Sequence, residues 1–235
     1  MDPGSSAASA RTPVTGDPRT GRVARVWERV FAAGYDRFMA AAERNDLGAR
    51  RDALLAQARG RVLELGAGTG VNLDHYGPGV TELVLLEPAE PMARRLEPRA
   101  AQRGATVVRA GAEALPFDDA SFDTVVATLV LCTVPDLDRA LDEIRRVLKP
   151  DGTLLFLEHV RAEDPGLAKW QRRLNPIQKR VACGCHLDRP TPDAIAARFE
   201  LVDLQRDRMK KSPPTHGQMA IGQATQRHVA NRTEQ

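Results

Sequence analysis

One short run holds residues whose types and spacing could do chemistry together. Val62-Leu-Glu-Leu-Gly-Ala-Gly-Thr-Gly70 is an apolar segment ending in alternate glycines. Gly66, Gly68 and Gly70 allow a tight turn and bring bare backbone against a bound molecule. The spacing is Gly-x-Gly-x-Gly, and Val71 does not supply the displaced third glycine of a dinucleotide fingerprint. Glu64 stands just before the turn. A carboxylate there disfavours a pyrophosphate and suits a ligand carrying a sulfonium and an ammonium. Glu87 ends the next apolar run, where it can accept hydrogen bonds from both hydroxyls of a ribose. Ala110-Gly-Ala-Glu113 follows a third run, where an adenine ring would stack. Thr128 and Leu129 follow a fourth and would flank a methionine end. These parts together fit S-adenosylmethionine.

A second group points to the other reactant. Transfer of a methyl group from a sulfonium is an in-line displacement, so the nucleophile must be held close, aligned and dry. Glu158 and His159 end a fifth apolar run and are expected to face the acceptor cavity. His159 is the candidate general base, because imidazole titrates near neutral pH; the other reading is a histidine that hydrogen-bonds and shapes the pocket. Cys183-Gly-Cys185-His186 invites a metal reading. Structural zinc usually takes four ligands from two separated pairs, and His75, His159, His216 and His228 stand alone. No metal is expected on this reasoning, and these residues are expected to line the pocket or pack the lid. Cys132 is expected to pack near the cofactor. Three cysteines give an odd count and no disulfide framework.

The elements that must position these groups alternate. Arg61–Leu65, Glu82–Glu87, Thr106–Arg109, Phe122–Ala127 and Gly152–Glu158 read as strands. A helix can begin near Val71, another spans Asp136 to Leu148, and Lys149-Pro-Asp-Gly152 stops it. Upstream, residues 23–59 read as helical, with a second helix from Leu47 to Ala58. Such alternation makes an α/β fold: a mainly parallel sheet with helices on both faces. Leu167, Trp170, Leu174, Ile177 and Val181 recur at helical spacing, with Lys169, Arg172, Arg173, Lys179 and Arg180 on other faces. Asn175-Pro176 predicts a break into two short helices with Asn175 as a cap. This lid reads either as a basic amphipathic surface for anionic membrane or a hydrophobic acceptor, or as a segment packed on the core with a solvated basic rim.

Composition narrows the class. The 235 residues suffice for one α/β domain with a tail. Residues 1–21 are expected to be a disordered tail, 22–225 the domain with an inserted lid at 161–192, and 226–235 a flexible tail. A net charge of +3 and 4% aromatic residues do not suggest nucleic acid. No apolar run approaches the roughly 20 residues that span a bilayer, and the N-terminus lacks the apolar core of a signal peptide. A cytoplasmic location is expected.

Leu63-Glu-Leu-Gly-Ala-Gly-Thr-Gly70, Leu86-Glu-Pro88, Ala112-Glu-Ala-Leu-Pro-Phe117, Ser121-Phe-Asp123 and Val147-Leu-Lys-Pro-Asp-Gly152 resemble the class I methyltransferases of the ubiquinone/menaquinone-biosynthesis type. The resemblance implies a Rossmann-like, seven-stranded sheet whose last strand is antiparallel. Thr128-Leu-Val-Leu-Cys-Thr-Val134, Leu157-Glu-His-Val160, Trp170-Gln171, Gly184-Cys185, Pro214-Thr-His216 and Gly222-Gln-Ala224 are similar to the methyltransferase-like thiol methyltransferase group. Its membrane-bound members carry an apolar N-terminal anchor; none is expected here. The donor site is expected to include Tyr35, Glu64, Gly66, Ala67, Gly68, Gly70, Asn72 and Glu87. Pro88, Met92, Gly111, Ala112, Glu113, Thr128 and Leu129 complete it. Many relatives carry Asp where Gly111 stands, so adenine falls to Glu113, to backbone or to stacking. The expected function is methyl transfer to a small-molecule acceptor, a thiol first. The alternatives are a phospholipid amine or quinone acceptor, and a non-catalytic donor-binding protein.

Overall fold

The computed structural model describes residues 40–182 and 184–227, with Gly34 and Arg37. Both expected tails, apart from residues 226 and 227, and most of the first helical stretch lie outside the described residues. A π-helical turn, Glu43–Leu47, leads into α1, Gly48–Leu55. Then come β1 (Gly60–Leu65), β2 (Val80–Leu86), α2 (Glu90–Gln102), β3 (Thr106–Val108) and β4 (Phe122–Thr128). The chain continues through α3 (Leu137–Val147), β5 (Leu148–His159), α4 (Pro165–Val181) and α5 (Thr191–Arg198), and ends in β6 (Phe199–Arg208) and β7 (Gln218–Gln226).

The strands form one sheet of seven in the order β3-β2-β1-β4-β5-β7-β6. β1 through β5 pair in parallel, and β7 runs antiparallel to both neighbours. The central strands are mostly apolar because both of their faces are covered, with Glu64 and Thr124 as buried polar exceptions. Val125, Phe156 and Leu154 pack on one face with Leu141, Ile144 and Val147 of α3. Val62, Val126, Leu155 and Leu157 pack on the other with Leu54 and Leu55 of α1.

Strand order reverses between β1 and β4, which opens a crevice at their carboxyl ends. Register makes those ends level: Leu65 lies beside Leu86 of β2 and beside Ala127 of β4. Gly66, Glu87 and Thr128 therefore emerge at one edge. Thr128 pairs with Leu157, which delivers Glu158 and His159 to the same edge.

One local expectation is met and one is corrected. A helical turn does begin at Val71, as the single 3-10 turn Val71–His75. Gly77-Pro78-Gly79 follows at once and ends the helical path. The lid helix α4 runs unbroken through Pro176. Asn175 does not cap a second helix; its amide donates to Asp188 and accepts from the Leu187 N–H, holding the returning loop. The helix cap is Asp164, whose carboxylate accepts the Leu167 N–H ahead of Pro165.

Candidate donor and acceptor site

The three glycines of the turn differ in what surrounds them. Each has a positive φ, at 59°, 59° and 84° for Gly66, Gly68 and Gly70. A Cβ on Gly66 would lie 2.4 Å from Val130 Cγ2, and one on Gly70 would lie 2.7 Å from Leu73. Packing alone thus forbids side chains there. A Cβ on Gly68 would meet only the Gly66 carbonyl, at 4.0 Å. The bare backbone at Gly68 faces open space, as a cradle for a ligand requires.

Glu87, just past β2, holds this edge. One carboxylate oxygen accepts the Gly68 N–H at 2.8 Å and the other the Ala89 N–H at 2.8 Å. Burial raises its pKa, against those two hydrogen bonds. Pro88 is exposed, and Met92, in the first turn of α2, is half-buried. Ala67 is buried, its N–H bonded to the Leu86 carbonyl.

Glu64 sits deeper, 2% exposed. It accepts from Asn72 Nδ2 at 2.9 Å and from the Tyr76 hydroxyl at 2.7 Å. Arg51, 3% exposed, donates to Asn72 Oδ1 and Thr128 Oγ1 and pairs with Glu43. Asn72 also donates to Thr128 Oγ1. Burial pushes the Glu64 carboxyl up to about 7, although the Tyr76 and Asn72 hydrogen bonds and the Arg51 charge pull the other way. Arg51 and Tyr76 escaped the sequence reading. Nothing in the spacing of Arg51 on its helix distinguishes it from its solvated neighbours.

Gly111, Ala112 and Glu113 lie in the loop after β3. The Glu113 carboxylate accepts the Asp136 N–H at 3.3 Å and would touch a Cβ on residue 111 at 3.0 Å. A larger residue in place of Gly111 would compete with Glu113 for this space. Tyr35 lies outside the described residues.

The acceptor end departs from expectation. Glu158 does not face a cavity. It is wholly buried, and its carboxylate accepts the N–H groups of Val130, Leu131 and Cys132 at 2.8–3.1 Å. Burial pushes it up to about 7 against those three bonds. It fixes the turn after β4, where Leu129 adopts a φ of 57° that non-glycine residues rarely take. Arg189 grips the same turn through the Leu131 and Val134 carbonyls. His159 follows on the opposite face of β5. Its Nδ1 lies 3.9 Å from Cys185 Sγ, and its buried Nε2 has no partner among the described residues. Cys185 Sγ is 3.7 Å from Cys132 Sγ. The hydrogen bond from Cys132, with His159 beside it, lowers the Cys185 pKa, while the same contact and burial raise that of Cys132. The sequence reading treated Cys183-Gly-Cys185-His186 as a local motif, but the fold joins Cys185 to distant residues. Cys183 lies outside the described residues.

Lid helix α4 turns Ala168 and Gln171 inward. Gln171 bonds the Ala162 N–H and the Val160 and Thr215 carbonyls. Trp170, Ile177 and Val181 are more than half exposed, and the Arg173 guanidinium lies over the Trp170 ring. Three residues of the apolar stripe therefore face outward, while Leu167 and Leu174 are half-buried. The inward contacts belong to a buried amide, which outcompeted hydrophobicity because it satisfies three backbone groups.

Comparison with known proteins places this geometry. Residues 63–156 match the family model described as a methyltransferase domain. Thiol S-methyltransferase TMT1B of Rattus norvegicus is 40% identical over 151 residues, covering 61% of this chain and 62% of that protein. The chain thus spans less than two thirds of that relative's length. Phosphatidylethanolamine N-methyltransferase of Cereibacter sphaeroides is 32% identical over 163 residues, covering 66% and 77%. A SAM-dependent methyltransferase from Thermotoga maritima shares the fold, with a TM-score of 0.63 over 86% of this chain and 99% of that one at 22% identity. With its glycine cradle, its carboxylate after β2 and its antiparallel last strand, the chain belongs to the class I S-adenosylmethionine-dependent methyltransferases.

Proposed function

We propose that this protein transfers a methyl group from S-adenosylmethionine to a small-molecule thiol. The observation that carries the donor half is the open space over Gly68 beside the fixed Glu87 carboxylate. When bound, the donor supplies an electrophilic methyl group on a positively charged sulfur. Gly68 presents bare backbone to it, in a turn shaped by Gly66, Ala67 and Gly70. Glu87 exchanges backbone partners for ribose hydroxyls, and Glu64, held by Asn72 and Tyr76, offers negative charge to the cationic end. Ala112 and Gly111 leave room for the adenine, with Glu113 at its edge. Met92, Pro88, Thr128, Leu129 and Tyr35 complete the proposed wall.

The thiol half is supported by the TMT1B relative and by the soft, sulfur-bearing surroundings of His159. His159 is the proposed general base, with Nε2 as the free ring nitrogen that takes the thiol proton. A second reading has its own support. The exposed Trp170, Ile177 and Val181 beside Arg173, together with the phosphatidylethanolamine relative, favour an acceptor carried on a membrane surface. Among the described residues no helix is long and apolar enough to cross a membrane.

The test is S-adenosylhomocysteine release from protein plus donor, with small thiols, phosphatidylethanolamine vesicles or a quinol in parallel. Release with thiols, lost in His159→Ala while donor affinity holds, is the expected result. Release only with vesicles replaces the thiol reading by the second. Donor binding without release from any acceptor favours a non-catalytic binder.

A further inference from the structure

Cys132, His159 and Cys185 come from three separate places in the chain: the turn after β4, the last residue of β5 and the loop after α4. Their ligating atoms lie within 4.8 Å of one another. We propose that these three side chains form a binding site for a soft divalent metal of the zinc class, with a fourth position open to an incoming thiolate.

The distances suit that ion. With Zn–S near 2.3 Å and Zn–N near 2.0–2.1 Å, tetrahedral angles set sulfurs about 3.8 Å apart and sulfur and nitrogen about 3.6 Å apart. The observed separations are 3.7 Å between the two Sγ atoms and 3.9 Å from Cys185 Sγ to His159 Nδ1. Two thiolates and one imidazole are the ligand set of an open, three-ligand zinc site. Softness also matters, because two thiolates select zinc-class ions over magnesium or calcium.

The groups behind the ligands are already placed. The Cys132 N–H donates to Glu158, and Arg189 clamps the carbonyls on either side. The His186 N–H donates to the Cys132 carbonyl at 2.8 Å, which ties the two cysteine loops together. Outer partners of this kind hold ligand geometry in metal sites. Two of the other described histidines serve elsewhere: His75 pairs with Asp52, and His216 with Thr215 and Gln178.

Binding of the ion requires both thiols to release their protons to solvent. The fourth position gives the thiol reading a different means of activation, and only this part rests on that reading. A substrate thiol would bind as its thiolate, its proton passing to solvent, and His159 would then be a ligand rather than a base. The thiolate electron pair forms the new S–C bond as the donor's S–CH3 bond breaks. That bond's electron pair stays on the donor sulfur and neutralises it.

The experiment uses the full chain, reduced and freed of metal. Zinc is titrated in competition with a chromophoric chelator, and cobalt(II) is added separately to read the thiolate-to-cobalt charge-transfer band. The expected result is one equivalent of zinc and a tetrahedral cobalt spectrum. Cys185→Ser and His159→Gln should each weaken zinc binding by more than about 100-fold, beyond the effect of losing an outer partner. His75→Gln should leave it unchanged. Retained binding of S-adenosylhomocysteine shows that the variants fold. A reduced wild-type chain that takes up neither ion overturns the site, as does zinc affinity unaltered in Cys185→Ser. Stoichiometric zinc without thiol methylation keeps the site and removes only the thiol reading.

Discussion

Glu64→Gln should make the protein more stable and a poorer donor binder at the same time. The carboxyl lies 2% exposed, and burial raises it from 4.5 to about 7. Between those values the unfolded chain is ionised while the folded chain keeps its proton. Stability therefore falls as pH rises through this window, and the loss is complete above about pH 7. The full shift corresponds to about 3 kcal/mol, of which about 2 kcal/mol is lost between pH 5 and pH 8. Gln keeps the shape, accepts from Asn72 and cannot ionise. Urea unfolding of both forms at the two pH values isolates Glu64, because Glu158 titrates alike in each. The variant should gain about 2 kcal/mol on wild type between pH 5 and pH 8. S-adenosylmethionine affinity at pH 8 should fall by about tenfold or more, since a neutral amide gives a cation less than a carboxylate does. The neutral-sulfur product should lose less. A variant less stable than wild type at pH 8, or one whose stability difference ignores pH, would refute the reasoning.

Other perturbations separate packing from binding. Gly66→Ala drives a Cβ into Val130 in addition to the left-handed backbone penalty and should cost about 2–5 kcal/mol in unfolding experiments, whereas Gly68→Ala meets open space and should cost only the left-handed backbone penalty of about 1–2 kcal/mol. Gly68→Ala should nevertheless abolish donor binding by calorimetry, and full retention would remove Gly68 from the cradle. Glu158→Ala strands three buried N–H groups and should cost about 3 kcal/mol or more in chemical denaturation; Glu158→Gln should cost less, and equal losses would contradict a hydrogen-bonding role. Replacing Trp170 and Ile177 together by Ala should leave donor affinity intact and lower co-sedimentation with anionic vesicles; undiminished sedimentation would remove this face from any membrane contact.

The glycine turn and the strand-end carboxylate were legible because their geometry is local in sequence. A turn that must bare its backbone demands glycines at fixed spacing, and a level strand edge puts Glu87 at a strand end. The mainly parallel sheet also follows from strand–helix alternation, whereas its antiparallel last strand was implied only by the family resemblance. The buried partners were not legible. Arg51 reaches Asn72 and Thr128 only because α1 packs over the crevice, and no periodicity separates it from Arg50. The acceptor side was misread for a related reason. Gln171, rather than the apolar stripe, takes the most buried position of α4, and Glu158 turned to the strained loop after β4 rather than to a cavity. Cys132, His159 and Cys185 were each noted separately, but their contact depends on tertiary structure that no spacing rule encodes.

The central claim is that the crevice between β1 and β4 holds the methyl donor against Gly68 and Glu87. Calorimetric titration with S-adenosylmethionine tests it most directly, on wild type, Gly68→Ala and Glu87→Ala. The account predicts one donor per chain for wild type and loss of binding in both variants while each remains folded. Absence of binding to wild type, or unchanged affinity in both folded variants, would contradict it.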